Sequence, residues 1–246
     1  MSSSKPKHKD TQAVVAGVPA ARAALLSQIE TALRPLADPA QAVPMRAYML
    51  DQFAFLGIRA IPRRQALRGL PRLTTWTADA LLSVAEALWE LPEREFQYVA
   101  VDLLAKYHRQ LGVDSLPRLL RLVQRHPWWD TVDGLAGVVG DILLRARPGQ
   151  ADVQRQMDAC LGHPNLWVRR VAMLHQLGWK AQTDQARLFR SALALAPETE
   201  FFIRKAIGWA LRDHARTQPE AVRAFLAEHG PVLSGLTRRE AGKHLV

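Results

Sequence analysis

Apolar residues recur along most of the chain at intervals of three and four positions, the spacing of one face of an α-helix. No convincing run alternates apolar and polar residues, as a half-buried strand does. The clearest helical stripes fall within residues 81–89, 96–107, 116–123 and 203–211. The pattern therefore predicts an all-α protein.

Prolines separate these stripes, and several stand where a helix would begin. About a dozen short helices joined by short loops indicate stacked helical pairs of the HEAT type, whose period is about 40–47 residues. An ordinary globular helical domain is the alternative. We predict a flexible basic N-terminal tail over residues 1–15 and a HEAT-like helical repeat domain over residues 16–246. Such an α-α superhelix, or solenoid, would carry its positive charge on a concave face.

The charge of the chain indicates its class of partner. Lys and Arg number 33 against 23 Asp and Glu, a net charge of +10. This excess favours a polyanionic partner, nucleic acid before membrane. No apolar stretch is long enough for a membrane span, and no secretory signal follows the basic start. The single cysteine, Cys160, excludes a disulfide framework and favours the reducing cytoplasm.

Several chemistries lack their motifs. The sequence has no phosphate-binding glycine loop, no HExxH motif, no close Cys/His set and no serine elbow. We therefore expect neither a metal nor another cofactor.

One helix with candidate chemistry is predicted to begin at Trp128. Its core stripe contains Val132, Leu135, Ala136, Val139 and Leu143. Trp129 and Asp133 are i, i+4 neighbours on one flank of that stripe, and Gly137 and Gly140 continue the flank. Two helical glycines suggest that another backbone approaches closely. Asp133 has no capping role, and a salt bridge to a neighbouring helix is its ordinary explanation. For Trp128, core packing is favoured.

Two further helices carry cations outside a simple amphipathic pattern. After Asn165, a predicted N-cap, Arg170 falls at the edge of an apolar stripe while Arg169 lies on a polar face. An arginine in such a position pairs with an acid, extends to solvent or contacts a phosphate. On the last of these helices, Lys205, Trp209 and Arg212 lie nearly opposite the core stripe. Stacking beside phosphate anchors is one interpretation, and cation–π contacts on a solvated face are the other.

At these residues the sequence resembles the AlkD-like family of DNA alkylation-repair glycosylases, from about residue 44 to the end. Five segments occur in the family's order. They are PMRAYMLDQFAFLGIRAIPRRQ (44–65), LWELPEREFQYVAVDLL (88–104), HPWWDTVDGLA (126–136), NLWVRRVAMLHQL (165–177) and EFFIRKAIGWALRDHA (200–215).

The resemblance implies a HEAT-like solenoid that holds duplex DNA in a cationic concave groove. It also implies excision of N3- and N7-alkylpurines without drawing the base into a deep pocket. The family's WWDxVD motif makes Trp129 and Asp133 catalytic candidates, and its KAIGW segment adds Trp209. Its arginine falls on Arg170, or on Arg169 after a small shift, and its tyrosine on Tyr48. Lys205 and Arg212 complete the predicted DNA-binding set.

Two other functions remain open from the sequence. A non-catalytic helical-repeat protein could bind DNA or RNA through the same basic face without excising a base. A protein–protein scaffold is the commonest use of helical repeats. We expect a cytoplasmic monomer that acts on double-stranded DNA containing alkylated purines, as a monofunctional enzyme without lyase chemistry and without a membrane partner.

Overall fold

The computed structural model describes the backbone of residues 10–146 and 151–245, and the side chains of residues 19–146 and 153–245. These residues form thirteen α-helices, several short 3-10 helices and no β-strand, so the all-α prediction is confirmed. The helices are α1 (Asp10–Leu33), α2 (Pro39–Tyr48), α3 (Ala60–Ala66), α4 (Ala78–Trp89), α5 (Arg94–Lys106), α6 (Leu116–Val123), α7 (Trp129–Ala146), α8 (Ala151–Cys160), α9 (Leu166–Leu174), α10 (Gln185–Leu195), α11 (Phe201–Ala215), α12 (Pro219–His229) and α13 (Gly235–Ala241).

The ends of these helices follow local sequence signals. The predicted N-cap Asn165 accepts a hydrogen bond from the backbone N–H of Trp167 at 2.9 Å. Pro219 begins α12, where proline is tolerated. Not every proline separates two helices, since Pro44 lies inside α2. Helix α1 includes residues 10–15 of the predicted tail, and residues 1–9 lie outside the described residues.

Contacts divide the chain into two compact units, one ending at Leu103 and the other beginning at Leu104. In the first unit, α1 packs against α3 and α4. The buried carboxylate of Glu95 accepts hydrogen bonds from the backbone N–H groups of Leu56, Gly57 and Ile58 at 2.8–3.0 Å. These three hydrogen bonds fix the segment that follows α2.

Helix packing in the second unit has the alternating pattern of stacked helical pairs. Helix α7 packs against α9, α9 against α11, and α11 against α13. The intervening helices α8, α10 and α12 pack against them from the other layer. The predicted stripe of α7 is buried throughout, as are Ile203, Ala206, Ile207 and Ala210 of α11. This arrangement agrees with the predicted helical repeat, since alternate helices of a repeat share a layer.

The two glycines of α7 have different surroundings. A Cβ on Gly140 would lie 2.0 Å from the carbonyl oxygen of His175, so here another backbone approaches as predicted. A Cβ on Gly137 would meet nothing within 4 Å, and this residue is exposed. Close approach therefore explains Gly140 alone.

These surroundings predict opposite effects for one substitution. Gly140→Ala should destabilise the protein by about 1–3 kcal/mol, because the added methyl overpacks the α7–α9 contact. Gly137→Ala, the matched control on the same helix, should stabilise it by about 0.5–1 kcal/mol, because alanine favours helix. Chemical denaturation measures both. Equal effects would contradict the close contact at Gly140.

Candidate functional site

A buried ion pair joins α7 to α9. Arg170 donates from Nε to Asp133 Oδ1 at 2.7 Å and from Nη2 to Asp133 Oδ2 at 2.8 Å. The Arg170 side chain is 3% exposed and that of Asp133 14%. The third guanidinium nitrogen, Nη1, donates to the carbonyl oxygen of Phe202 on α11. The salt bridge that the sequence offered for Asp133 is therefore present.

The position of Arg170 follows from the packing of α9 between α7 and α11. Its neighbours Val168, Val171 and Leu174 are buried, so the arginine is carried into the same layer. Burial raises the pKa of the Asp133 carboxyl above its usual range, while hydrogen bonds and charge from Arg170 act in the opposite direction. The result is a carboxylate that is desolvated, held from one side and still partly accessible.

Arg169 makes a separate set of contacts. Its guanidinium donates to both carboxylate oxygens of Glu198, at 2.5 and 2.9 Å. It also donates to the carbonyl oxygens of His163 and Pro164, at 2.7 and 2.9 Å. These bonds tie the loop before α9 to the loop before α11. Of the two candidate arginines, Arg170 is therefore the one that the fold brings to Asp133.

An aromatic cluster packs where α7, α9 and α11 begin. The rings of Trp128 and Trp167 have centroids 5.7 Å apart, and Phe202 lies 5.1 and 4.9 Å from them. Trp128 is half-buried in this cluster, which agrees with the core-packing interpretation favoured from the sequence. Trp129, the first residue of α7, is half-buried and one helical turn before Asp133.

Sequence reasoning did not single out Trp167 or Phe202. The available signal was positional, because each of the alternate helices α7, α9 and α11 has an aromatic residue within or next to its first turn.

The face of α11 that carries Lys205 and Arg212 packs against α13. The buried carboxylate of Glu240 accepts hydrogen bonds from Lys205 at 2.6 Å, Arg212 at 2.9 Å and Lys243 at 2.7 Å. Gly208 allows this contact, since a Cβ there would lie 2.5 Å from Glu240 Cβ. Sequence reasoning expected no such partner for Lys205 and Arg212. Three cations around one carboxylate leave a local excess of positive charge.

The remaining predicted residues occupy two different settings. Trp209 is half-buried on α11. Tyr48 ends α2 in the first unit and is 70% exposed.

Among the described residues, no cluster of three His, Cys, Asp or Glu could hold a metal ion. None of the described helices is long and apolar enough to span a membrane.

Comparison with known families agrees with this arrangement. The family model described as DNA alkylation repair enzyme matches residues 29–245. The chain belongs to the DNA alkylation repair enzyme family. The match extends beyond the region of resemblance seen in the sequence, to include the end of α1.

Two solved structures are similar to this family member. A predicted DNA alkylation repair enzyme from Enterococcus faecalis is 34% identical, with a TM-score of 0.77, and the match covers 85% of this chain and 96% of that one. AlkD2 from Streptococcus mutans is 19% identical, with a TM-score of 0.56, over 70% of this chain and 86% of that one. The second likeness shows the fold alone. No curated protein matches the sequence.

The cation cluster on Glu240 predicts a pH-dependent contribution to stability. Hydrogen bonds from Lys205 and Lys243 lower the pKa of Glu240 from 4.5 to about 2. A carboxyl with a depressed folded-state pKa stabilises the fold above its unfolded pKa, and this contribution is lost as pH falls through the folded value. Glu240→Gln should therefore be less stable than wild type at pH 7, and the difference should shrink between pH 4.5 and 2.

Thermal melts across this pH range measure the difference. Glu228→Gln replaces a carboxylate that is 76% exposed and should reproduce the wild-type curve. A Glu240→Gln variant whose stability runs parallel to wild type from pH 7 to 2 would contradict the assignment.

Proposed function

We propose that this protein is a DNA glycosylase that hydrolyses the N-glycosidic bond of cationic N3- and N7-alkylated purines in duplex DNA. The supporting observation is the Asp133 carboxylate, 14% exposed and held in a fixed orientation by Arg170 beside the aromatic cluster. Membership of the DNA alkylation repair enzyme family supports the same class of substrate.

The chemistry requires one well-placed carboxylate. An alkylated purine already carries a positive charge, so it leaves the sugar without a general acid. As the glycosidic bond breaks, cationic character moves to the deoxyribose. A carboxylate beside the sugar stabilises this oxocarbenium ion and orients the attacking water. The second carboxyl group of ordinary glycoside hydrolysis is then unnecessary.

Asp133 retains the capacity for this role while it is paired. Each carboxylate oxygen has two lone pairs, and Arg170 donates one hydrogen bond to each oxygen. The same arginine bonds to α11, so the carboxylate is oriented before substrate arrives. Preorganised groups of this kind need little rearrangement during the reaction.

The aromatic and basic residues supply the other parts of the proposed site. The indoles of Trp129 and Trp209 would exclude water and attract the cationic base. Lys205 and Arg212 would contact phosphates, since Glu240 neutralises only part of the charge around it. Arg170 and Arg169 are bound within the protein and would act on DNA mainly by shaping the surface. Tyr48 would contact the duplex from the first unit.

We further propose that the enzyme acts as a monofunctional glycosylase, a monomer in the cytoplasm, without a metal and without base flipping. No lysine nucleophile is required, and strand cleavage is therefore not expected.

A non-catalytic DNA-binding protein is the second candidate. The observation that favours it is the pairing of both Asp133 oxygens with Arg170, which a purely structural carboxylate would also show. Release of free methylated purine from duplex DNA separates the two functions. Binding that weakens with added salt but releases no base would support the binder.

Removing the charge of Asp133 tests the catalytic role. Asp133→Asn should lower single-turnover release of N7-methylguanine by about 10²–10³-fold, the usual cost of one preorganised electrostatic contact. It should also lose about 3–5 kcal/mol of stability, because the buried Arg170 then lacks its carboxylate. The assay is therefore run at saturating enzyme, well below the melting temperature of the variant.

Glu198→Gln is the matched control, because it removes the carboxylate that forms an ion pair with the neighbouring Arg169. This variant should lose stability and keep excision near the wild-type rate. A folded Asp133→Asn variant that excises at the wild-type rate would refute the catalytic role.

Trp209 provides an independent test on α11. Trp209→Ala should slow excision while the fold survives, because the side chain is only half-buried. Trp179, which is 5% exposed, is the contrasting residue, and Trp179→Ala should cost about 3–5 kcal/mol of stability. Denaturation and base release are measured on both. A comparable loss of stability in Trp209→Ala would make this residue part of the core.

A further inference from the structure

The turn that ends α2 has an unusual residue at its critical position. The backbone N–H of Leu50 donates to the carbonyl oxygen of Ala47 at 3.0 Å. The backbone N–H of Asp51 donates to the carbonyl oxygen of Arg46 at 2.9 Å. This pair of bonds is the Schellman ending of a helix, in which the residue after the C-cap adopts a left-handed conformation. Glycine is preferred there, but this chain has Leu50 with a φ of 54°.

The side chain of Leu50 is 68% exposed, so its packing offsets little of this backbone strain. The next residue, Asp51, also has a positive φ of 56°, but aspartate tolerates this conformation better than leucine does. The other described non-glycine residues with positive φ are His126 and Lys180, which are polar. A strained and exposed leucine therefore indicates that this side chain contacts another molecule rather than stabilising the fold.

The surroundings of the turn indicate duplex DNA as the partner. Tyr48, two residues earlier, presents a second large exposed side chain. Arg46 lies at the same turn, with its guanidinium 3.2 Å from the Asp51 carboxylate, and its side chain is 53% exposed. Phosphates bind arginine, while leucine and other apolar side chains insert as wedges against base steps. The net charge of +10 fits the same polyanion.

We propose that Leu50 is an apolar wedge that contacts the base steps of duplex DNA, with Tyr48 beside it. The left-handed backbone is the cost of presenting this side chain at the end of α2. The proposal rests on the proposed function in one respect, that duplex DNA is the ligand. It does not depend on whether a base is excised.

Leu50→Gly tests the wedge, because glycine removes the side chain and relieves the backbone strain together. The melting temperature should rise by about 2–4 °C, the shift expected of a small stabilisation in a chain of this size. The affinity for an unmodified duplex should fall by about 10-fold, the scale of one buried leucine side chain. The slope of log Kd against log salt should not change, because no phosphate contact is removed. Fluorescence anisotropy at several salt concentrations measures Kd and the slope.

Two control variants separate the wedge from the turn itself. Asp51→Gly relieves strain in the same turn and keeps Leu50, so its affinity should not fall. Leu50→Met keeps a large apolar side chain and should retain most of the wild-type affinity. Unchanged affinity in Leu50→Gly would overturn the proposal, as would a lower melting temperature together with weaker binding. Absence of base release by the wild type would count against the glycosylase alone, since duplex binding is measured separately.

Discussion

The second unit depends on one buried guanidinium. Arg170 contacts Asp133 on α7 and Phe202 on α11 from its position on α9, so a single side chain links three helices of one layer. A buried arginine without its acid would be strongly destabilising, and the acid without its arginine equally so. This mutual requirement fixes the spacing of the three helices and the orientation of the carboxylate. It also places a structural demand and the proposed catalytic demand on the same pair.

This dual demand shapes the rest of the site. The aromatic cluster of Trp128, Trp167 and Phe202 packs where the same three helices begin, and the centroid of the Phe202 ring lies 5.9 Å from the guanidinium carbon of Arg170. Lower local polarity strengthens the electrostatic effect of a carboxylate that remains partly exposed. The packing that holds the fold together therefore also supplies the environment that the proposed chemistry needs.

Charge is organised differently on α11 and α13. Glu240 gathers Lys205, Arg212 and Lys243 around one buried carboxylate, which limits their mutual repulsion and holds their side chains in place. Cations that are ordered before binding lose less conformational freedom when they meet a phosphate. The exposed Leu50 represents the opposite case, in which local backbone strain is retained with little compensating packing.

The sequence by itself determined the helical class, the buried stripes of α7 and α11, and the N-cap of α9, because these depend on spacing and local hydrogen bonds within a few residues. It also identified Asp133 as a residue without a local explanation. Only the tertiary structure selected Arg170 rather than Arg169 as its partner. Both arginines follow the same cap, but Arg169 meets Glu198 in the loop before α11, whereas Arg170 meets Asp133 on α7. Glu240 likewise meets Lys205 and Arg212 only through the packing of α13 on α11, across separations of 35 and 28 residues that no periodicity reports.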